Sequence, residues 1–300
     1  MTGAGSPASE RLLPSVAVAG SAILWGLWWM PVRWLEQAGL PGAWGSVTVY
    51  LLATVLLLPV AWRRRRALAA GGWMLLAIGL SFGAVLTLWN LAILTGDVVR
   101  VVLLFYLAPI WATGLAWLVL GERPGRWRLL SVVLGLSGAA TVLGFADGLP
   151  LPRSAGDWLG LLCGLLFAIS ATLTRKAYFL DGLETSFAAI ASAAAIALVL
   201  ALALPGPAPT PVVLGAALPV VGVLALAWLL PQTWLVLWGA ARLDPARVAI
   251  LLLLEVVAAA TSASLLTDEP FGLREGLGCL LILGAGLVEG LAKPATPHGA

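Results

Sequence analysis

Asp97, Arg100 and Glu122 recur as Asp244, Arg247 and Glu269, each displaced by 147 positions with no gap between them. From Trp73 to Pro124 the only charged residues are Asp97, Arg100, Glu122 and Arg123, so chance does not account for three matches. Both stretches share one layout: an acidic residue, a basic residue three later, a long apolar run, and a glutamate just past its end. A chain written twice from one unit folds as two like halves, here near 1–150 and 151–300.

What each half contains follows from its apolar runs. A bilayer crossing takes about 20 apolar residues as a helix. Cutting at charged and Pro/Gly clusters gives about ten spans, near 14–34, 43–62, 72–95, 98–120, 127–146, 156–178, 185–204, 218–241, 245–267 and 273–292. The composition agrees: 61% of the 300 residues are hydrophobic and 10% charged, and the mean hydropathy is +1.02. Soluble domains carry about 25% charged residues, so the expected class is an all-α integral membrane protein. No polar stretch is long enough for a water-facing or nucleic-acid-binding domain. The first 13 residues lack a cationic region and a cleavage site, so no cleaved signal peptide is expected.

Lysine and arginine fix the expected orientation. With the N-terminus inside, the inner loops carry 13 of the 17 basic residues, Arg63 to Arg66 among them as a stop-transfer anchor, and the outer side keeps only Arg33, Arg100, Arg153 and Arg274. Both termini are then cytoplasmic, in a multi-pass protein of the plasma membrane (the inner membrane of a bacterium). Five spans per half is an odd number, so the second half enters the membrane upside down. Inverted repeats of this kind characterise secondary transporters, whose substrate sites lie near the midplane.

Short motifs sharpen the reading. Trp25-Gly26 in the first span, Ala108-Pro109 within the fourth, Leu120-Gly121-Glu122-Arg123 at its end and Thr267-Asp268-Glu269-Pro270 after the ninth resemble the drug/metabolite transporter superfamily, in particular its EamA-type ten-helix exporters. The tryptophan-rich helices look most like the YddG-type exporters of aromatic amino acids. The resemblance implies a central cavity lined by spans one, three, four, six, eight and nine, and export of small organic metabolites by alternating access. Pro109 of span four corresponds to Val256 of span nine, so the bend is expected to be lost there or moved to span eight.

Glu255 is the sharpest candidate, about ten residues into span nine within Leu251-Leu252-Leu253-Leu254-Glu255-Val256-Val257. A carboxylate at that depth costs roughly 2.5–3.5 kcal/mol on insertion scales. It therefore faces a wet cavity, pairs with a cation or takes up a proton; the alternative is a protonated carboxyl bonded to a neighbouring helix for packing. Trp25, Trp28, Trp111, Trp228 and Trp234 fall deeper than an interfacial belt explains, and their N–H groups need polar company. Their rings suit an apolar or aromatic substrate and an ammonium, with core packing as the alternative. Asn90 shares a face of span three with Gly79, Gly83 and Thr87, and is either interhelical glue or a contact for a substrate carboxylate. Gln232 follows Pro231 in span eight, and Tyr106 adds a hydroxyl in span four. Ser170 and Thr174 share a face of span six and are expected to bond their own helix backbone. Pro31, Pro109 and Pro231 are candidate gating bends. Arg100 is expected to pair with Asp97, and Glu122 and Glu269 to cap the helices that follow them.

Several classes are set aside. No phosphate-binding lysine loop occurs, so the chain does not drive transport with ATP by itself. A membrane transferase needs clustered aspartates or a His–Asp pair, whereas His298 is the only histidine and lies in the tail. Cys163 and Cys279 sit in apolar runs as small packing residues. No metal or cofactor is expected; the partners are a small solute, the bilayer and a proton, with no obligate protein partner evident. A passive channel would use the same cavity.

Overall fold

The computed structural model describes residues 7–144, 151–204, 208–266 and 271–291, and among these the chain is helical with no strand. The helices are α1 Pro7–Gly26, α2 Trp29–Gln37, α3 Gly42–Arg63, α4 Arg65–Thr95, α5 Val98–Phe105, α6 Ala108–Leu120, α7 Arg126–Leu143, α8 Ala155–Lys176, α9 Gly182–Ala203, α10 Pro211–Val223, α11 Leu230–Ala240, α12 Pro245–Leu252, α13 Leu254–Leu266 and α14 Leu273–Leu291, with a π-helical stretch at Leu224–Leu229 joining α10 to α11. Glu269 lies outside the described residues.

Among the described residues eight stretches are long and apolar enough to cross a bilayer, or nine when α1 and α2, bent by 42°, count as one broken span. Three of the eight are composite: α5 with α6, α10 with α11, and α12 with α13. The tenth expected span, α14, has 19 residues but carries Arg274, Glu275 and Glu289. At about 1.5 Å per residue its length still matches a hydrocarbon core. Large apolar side chains such as Leu118, Leu202 and Leu287 cover the outside, a surface that lipid rather than water solvates. The chain is a multi-pass membrane protein.

Four spans are interrupted in mid-course, and proline accounts for three. Pro31 has no N–H to offer the Leu27 carbonyl, and the chain breaks at Leu27–Trp28. Pro109 conflicts in the same way with Phe105, and the break falls at Tyr106–Leu107. Pro231 stands opposite Ala227, inside the π-helical stretch. The fourth interruption, at Leu253, has no proline. There Leu253 N–H reaches back only three residues to Ile250 O (3.1 Å), and Val256 N–H to Leu253 O (3.0 Å). Because 253 less 147 is 106, this break occupies the position of the Tyr106 break in the first half. The expected loss of the bend in span nine is therefore corrected: the bend persists there, and span eight has a distortion of its own.

The first helix of each half packs against the other half. α1 lies on α11, α12 and α13, while α8 lies on α4, α5 and α6. Gly79 and Gly83 of α4 let α9 come so close that a Cβ at either would stand within 3 Å of the Ala188 or Ala189 carbonyl oxygen. α7 and α14 form a further intimate pair, with the Gly138 and Gly278 backbones in direct apposition. Arg64, from the arginine run, binds Asp181 (3.1 Å) and Glu184 (2.9 Å) at the start of α9. It is a tie between spans as well as an anchor.

The two ends of the bundle differ. At the end bearing Arg64, Arg128 and Arg242, α6 packs on α12, and every α12 residue except Arg247 is buried. Past the break, α13 buries only Val256 and Ser262. α5 and α13, the halves of the same two spans at the opposite end, share a smaller apolar cluster that includes Val102, Phe105, Val256, Val257 and Ala260. The bundle is shut at its arginine-bearing end.

Candidate functional site

The midpoint breaks converge on Glu255. It is the second residue of α13, so the Leu253 turn presents its side chain just where the helix restarts. Its carboxyl is hydrogen-bonded by the Tyr106 hydroxyl, from the corresponding break in span four. Tyr106 is buried, whereas Glu255 keeps accessible surface although it stands deep among protein atoms. From the third side α1 crosses at Gly26, where a Cβ would collide with the Glu255 carbonyl oxygen. Only glycine lets the broken first span rest on the broken ninth.

Indole rings adjoin this crossing of α1 over α13. Trp25 and Trp28, either side of Gly26, have ring centroids 6.1 Å apart. The break leaves the Leu24 carbonyl without its usual donor, because Trp28 N–H turns to Trp25 O (3.0 Å). Trp228, on the π-helical stretch, donates its indole N–H to Leu24 O at 2.9 Å. Trp34 meets the Trp228 ring edge-on at 5.9 Å. Trp29 donates to Ser262 Oγ (3.1 Å), and Arg33 lies 4.8 Å over its ring. A chain of rings also runs from Tyr106 to Phe105 (5.6 Å), which touches Trp89 (4.9 Å) and Phe167 (6.3 Å), with Phe82 beyond Phe167 at 6.2 Å.

Chemically this is an acid bonded to a phenol, with aromatic rings in its neighbourhood. A carboxylate holds an ammonium, indole and phenyl faces stack on an apolar group and add cation–π attraction, and the Tyr106 hydroxyl fixes the carboxyl's orientation.

Not every sequence candidate joins this group. Glu255, Tyr106, Trp25, Trp28 and Trp228 do. Gln232 lies beside them through α1, its backbone oxygen accepting from Ser21 Oγ at 2.8 Å. Its side-chain amide is fully buried with no protein partner, as are the Thr233, Ser170 and Thr174 hydroxyls. The expectation that Ser170 and Thr174 bond their own backbone is thus corrected. Asn90 donates to Ser46 Oγ at 3.1 Å and ties α4 to α3. Trp111 is 36% exposed on the surface of α6. Trp234 stacks on Trp238 at 5.7 Å, its indole nitrogen beside Gly182 where α9 begins. Pro31, Pro109 and Pro231 adjoin the interruptions described above.

Trp89, Phe105 and Phe167 are additions that the structure makes to the candidates. Phe82 and Trp89, seven apart on α4, share a helix face, and that spacing is the signal the sequence holds for them. Nor does the Arg100 side chain pair with Asp97. Asp97 caps α5 by accepting from Arg100 N–H (2.9 Å), while the guanidinium reaches Asp157 of α8 (3.2 Å). The backbone cap is the shorter-range bond, and it leaves the guanidinium for the next span.

Residues 13–144 match the EamA-like transporter family. No curated protein matches the chain. A crystal structure described only as that of a protein superposes with a TM-score of 0.72 at 18% identity, covering 94% of this chain and 98% of that one, and it shares the fold.

Proposed function

We propose that this membrane protein, whose first half carries an EamA-like transporter domain, is a secondary transporter that exports small amphipathic solutes bearing an ammonium group, neutral and aromatic amino acids foremost. The observation that carries this reading is the Tyr106–Glu255 pair, set where three broken spans meet, with aromatic rings in its neighbourhood. Solute enters from the cytoplasm, its ammonium docks on Glu255, and its side chain lies against Trp25, Trp28 and Phe105. It leaves when the two halves exchange shapes. The crossed packing, in which α1 sits on spans eight and nine and α8 on spans three and four, supports two inverted halves. We read the arginine-bearing end as cytoplasmic, on the positive-inside distribution of the sequence. Among the described residues no cluster of His, Cys, Asp or Glu could hold a metal ion, and we read the chain as a non-enzyme on its EamA-like domain.

The test is uptake of labelled tryptophan by proteoliposomes, with and without a pH gradient. A charge-assisted hydrogen bond contributes about 1.5–3 kcal/mol, so Glu255→Gln is expected to lower uptake roughly 10- to 100-fold. Full uptake by that variant sinks the proposed site. Uptake indifferent to the gradient removes any proton from the cycle.

A further inference from the structure

We infer that shutting the arginine-bearing end takes up a proton, held between Glu122 and Asp244, so that this end closes in acid and opens as the solution becomes more alkaline. The geometry begins with Gly121, whose left-handed backbone (φ 73°) ends α6. The chain curls back there, Glu122 N–H reaches Ala116 O (3.1 Å), and the Glu122 side chain is turned toward the start of α12. Asp244 occupies the N-cap position of α12 but makes no capping bond. Its carboxylate instead accepts from Arg128 Nη2 of α7 (3.0 Å) and meets the Glu122 carboxyl. The expectation that Glu122 caps the next helix is corrected here: it spans from α6 to α12 instead.

Other charges close around this pair. Arg128 Nη2 also binds Glu289 of α14 (2.9 Å), whose second oxygen accepts from Ser131 Oγ (2.8 Å). Arg175, at the end of α8, faces Glu122 and donates to Ala241 O (3.2 Å). Arg11 of α1 faces Asp244, and Arg247 of α12 faces Glu289 and Asp244. The network exists only while the end of α6 stands beside the start of α12. Two touching carboxyl groups do not both ionise; one proton stays between them. Arg128 and the Glu122 O–H outweigh the burial of Asp244 and hold it below the usual carboxylate range. Burial and then Asp244 push Glu122 up to about 7.

The sign follows. When the end parts, Glu122 returns toward its ordinary value of 4.5. Between those values the closed form binds one more proton. The stabilisation is complete below the ordinary value and lost as pH rises through about 7. This inference goes beyond the solute assigned above and is read without solute, so either can fail alone.

The experiment places spin labels at Arg123→Cys and Arg242→Cys, both exposed and flanking the pair, in a Cys163→Ala, Cys279→Ala background in lipid nanodiscs. The ratio of long to short distances is expected to rise roughly 50-fold between about pH 5 and about pH 7.5. Glu122→Gln donates to Asp244 without a proton, so its distances are expected to stay short at both. Asp244→Asn removes the partner carboxyl but leaves Glu122 buried, so its pH response is expected to shrink. An unchanging distribution in the parent protein overturns the inference, as does a pH response that persists in Glu122→Gln or is undiminished in Asp244→Asn.

Discussion

At the scale of single residues, the site depends on what the backbone gives up at its breaks. Leu24 O is bonded by an indole because its own helix no longer reaches it. Trp228→Phe keeps the ring and removes that donor, so it is expected to cost about 1–2 kcal/mol, read as a lower melting temperature in detergent. Gly26→Ala puts a methyl where Glu255 O now lies, forcing α1 off α13. Overpacking of this kind costs about 1–3 kcal/mol, and reduced uptake is expected alongside the lower melting temperature. Glu255 and the Trp25–Trp28 pair were legible in the sequence, since a carboxylate within a leucine run and paired indoles beside a glycine are anomalies that stand out. Trp111 and Trp234 show where such reading stops. Depth along a helix is written in the sequence, but the neighbour a face will meet is not. Arg100 made the same point with charge: its nearest acid in sequence took the backbone and left the side chain for another span.

At the scale of elements, most span ends were read within three residues, but α1, α4 and α10 begin seven residues earlier than expected, and interruptions were read only where proline marks them. The span expected at 245–267 is found at Pro245–Leu266, yet nothing in Leu251 to Leu254 announces the turn that aims Glu255. The 147-residue offset of the charged residues pairs Leu253 with Tyr106, where the matching break of span four lies. Pro231→Ala restores a donor and lets Leu224–Leu229 return to α-helical winding. One fewer residue in the bulge rotates the upstream face by roughly 100° and carries Trp228 away from Leu24. Uptake is expected to fall while the melting temperature holds or rises, and the two measurements together distinguish this from simple unfolding. Arg128→Ala leaves Asp244 and Glu289 buried near each other without the one guanidinium that bonds both. Breaking a buried pair in this way costs about 3–5 kcal/mol, which a chemical or thermal melt would register.

At the scale of the whole molecule, the basic residues make an orientation measurable. A cysteine at Gly125, in the exposed loop after α6, is expected to react with an impermeant maleimide only in everted vesicles, and one at Arg153 only in intact cells. Reaction of both from one side would undo the inverted arrangement and the export direction with it. The seam of α7 and α14 bears on how such a molecule moves. Where Gly138 meets Gly278 the two backbones touch, with the Ile282 and Val142 side chains packed beside the contact. On the proposed two-half arrangement each of these helices closes its own half and the seam is the axle about which the halves swing, so a bulky residue at Gly138 or Gly278 is expected to lower uptake from a point remote from either end.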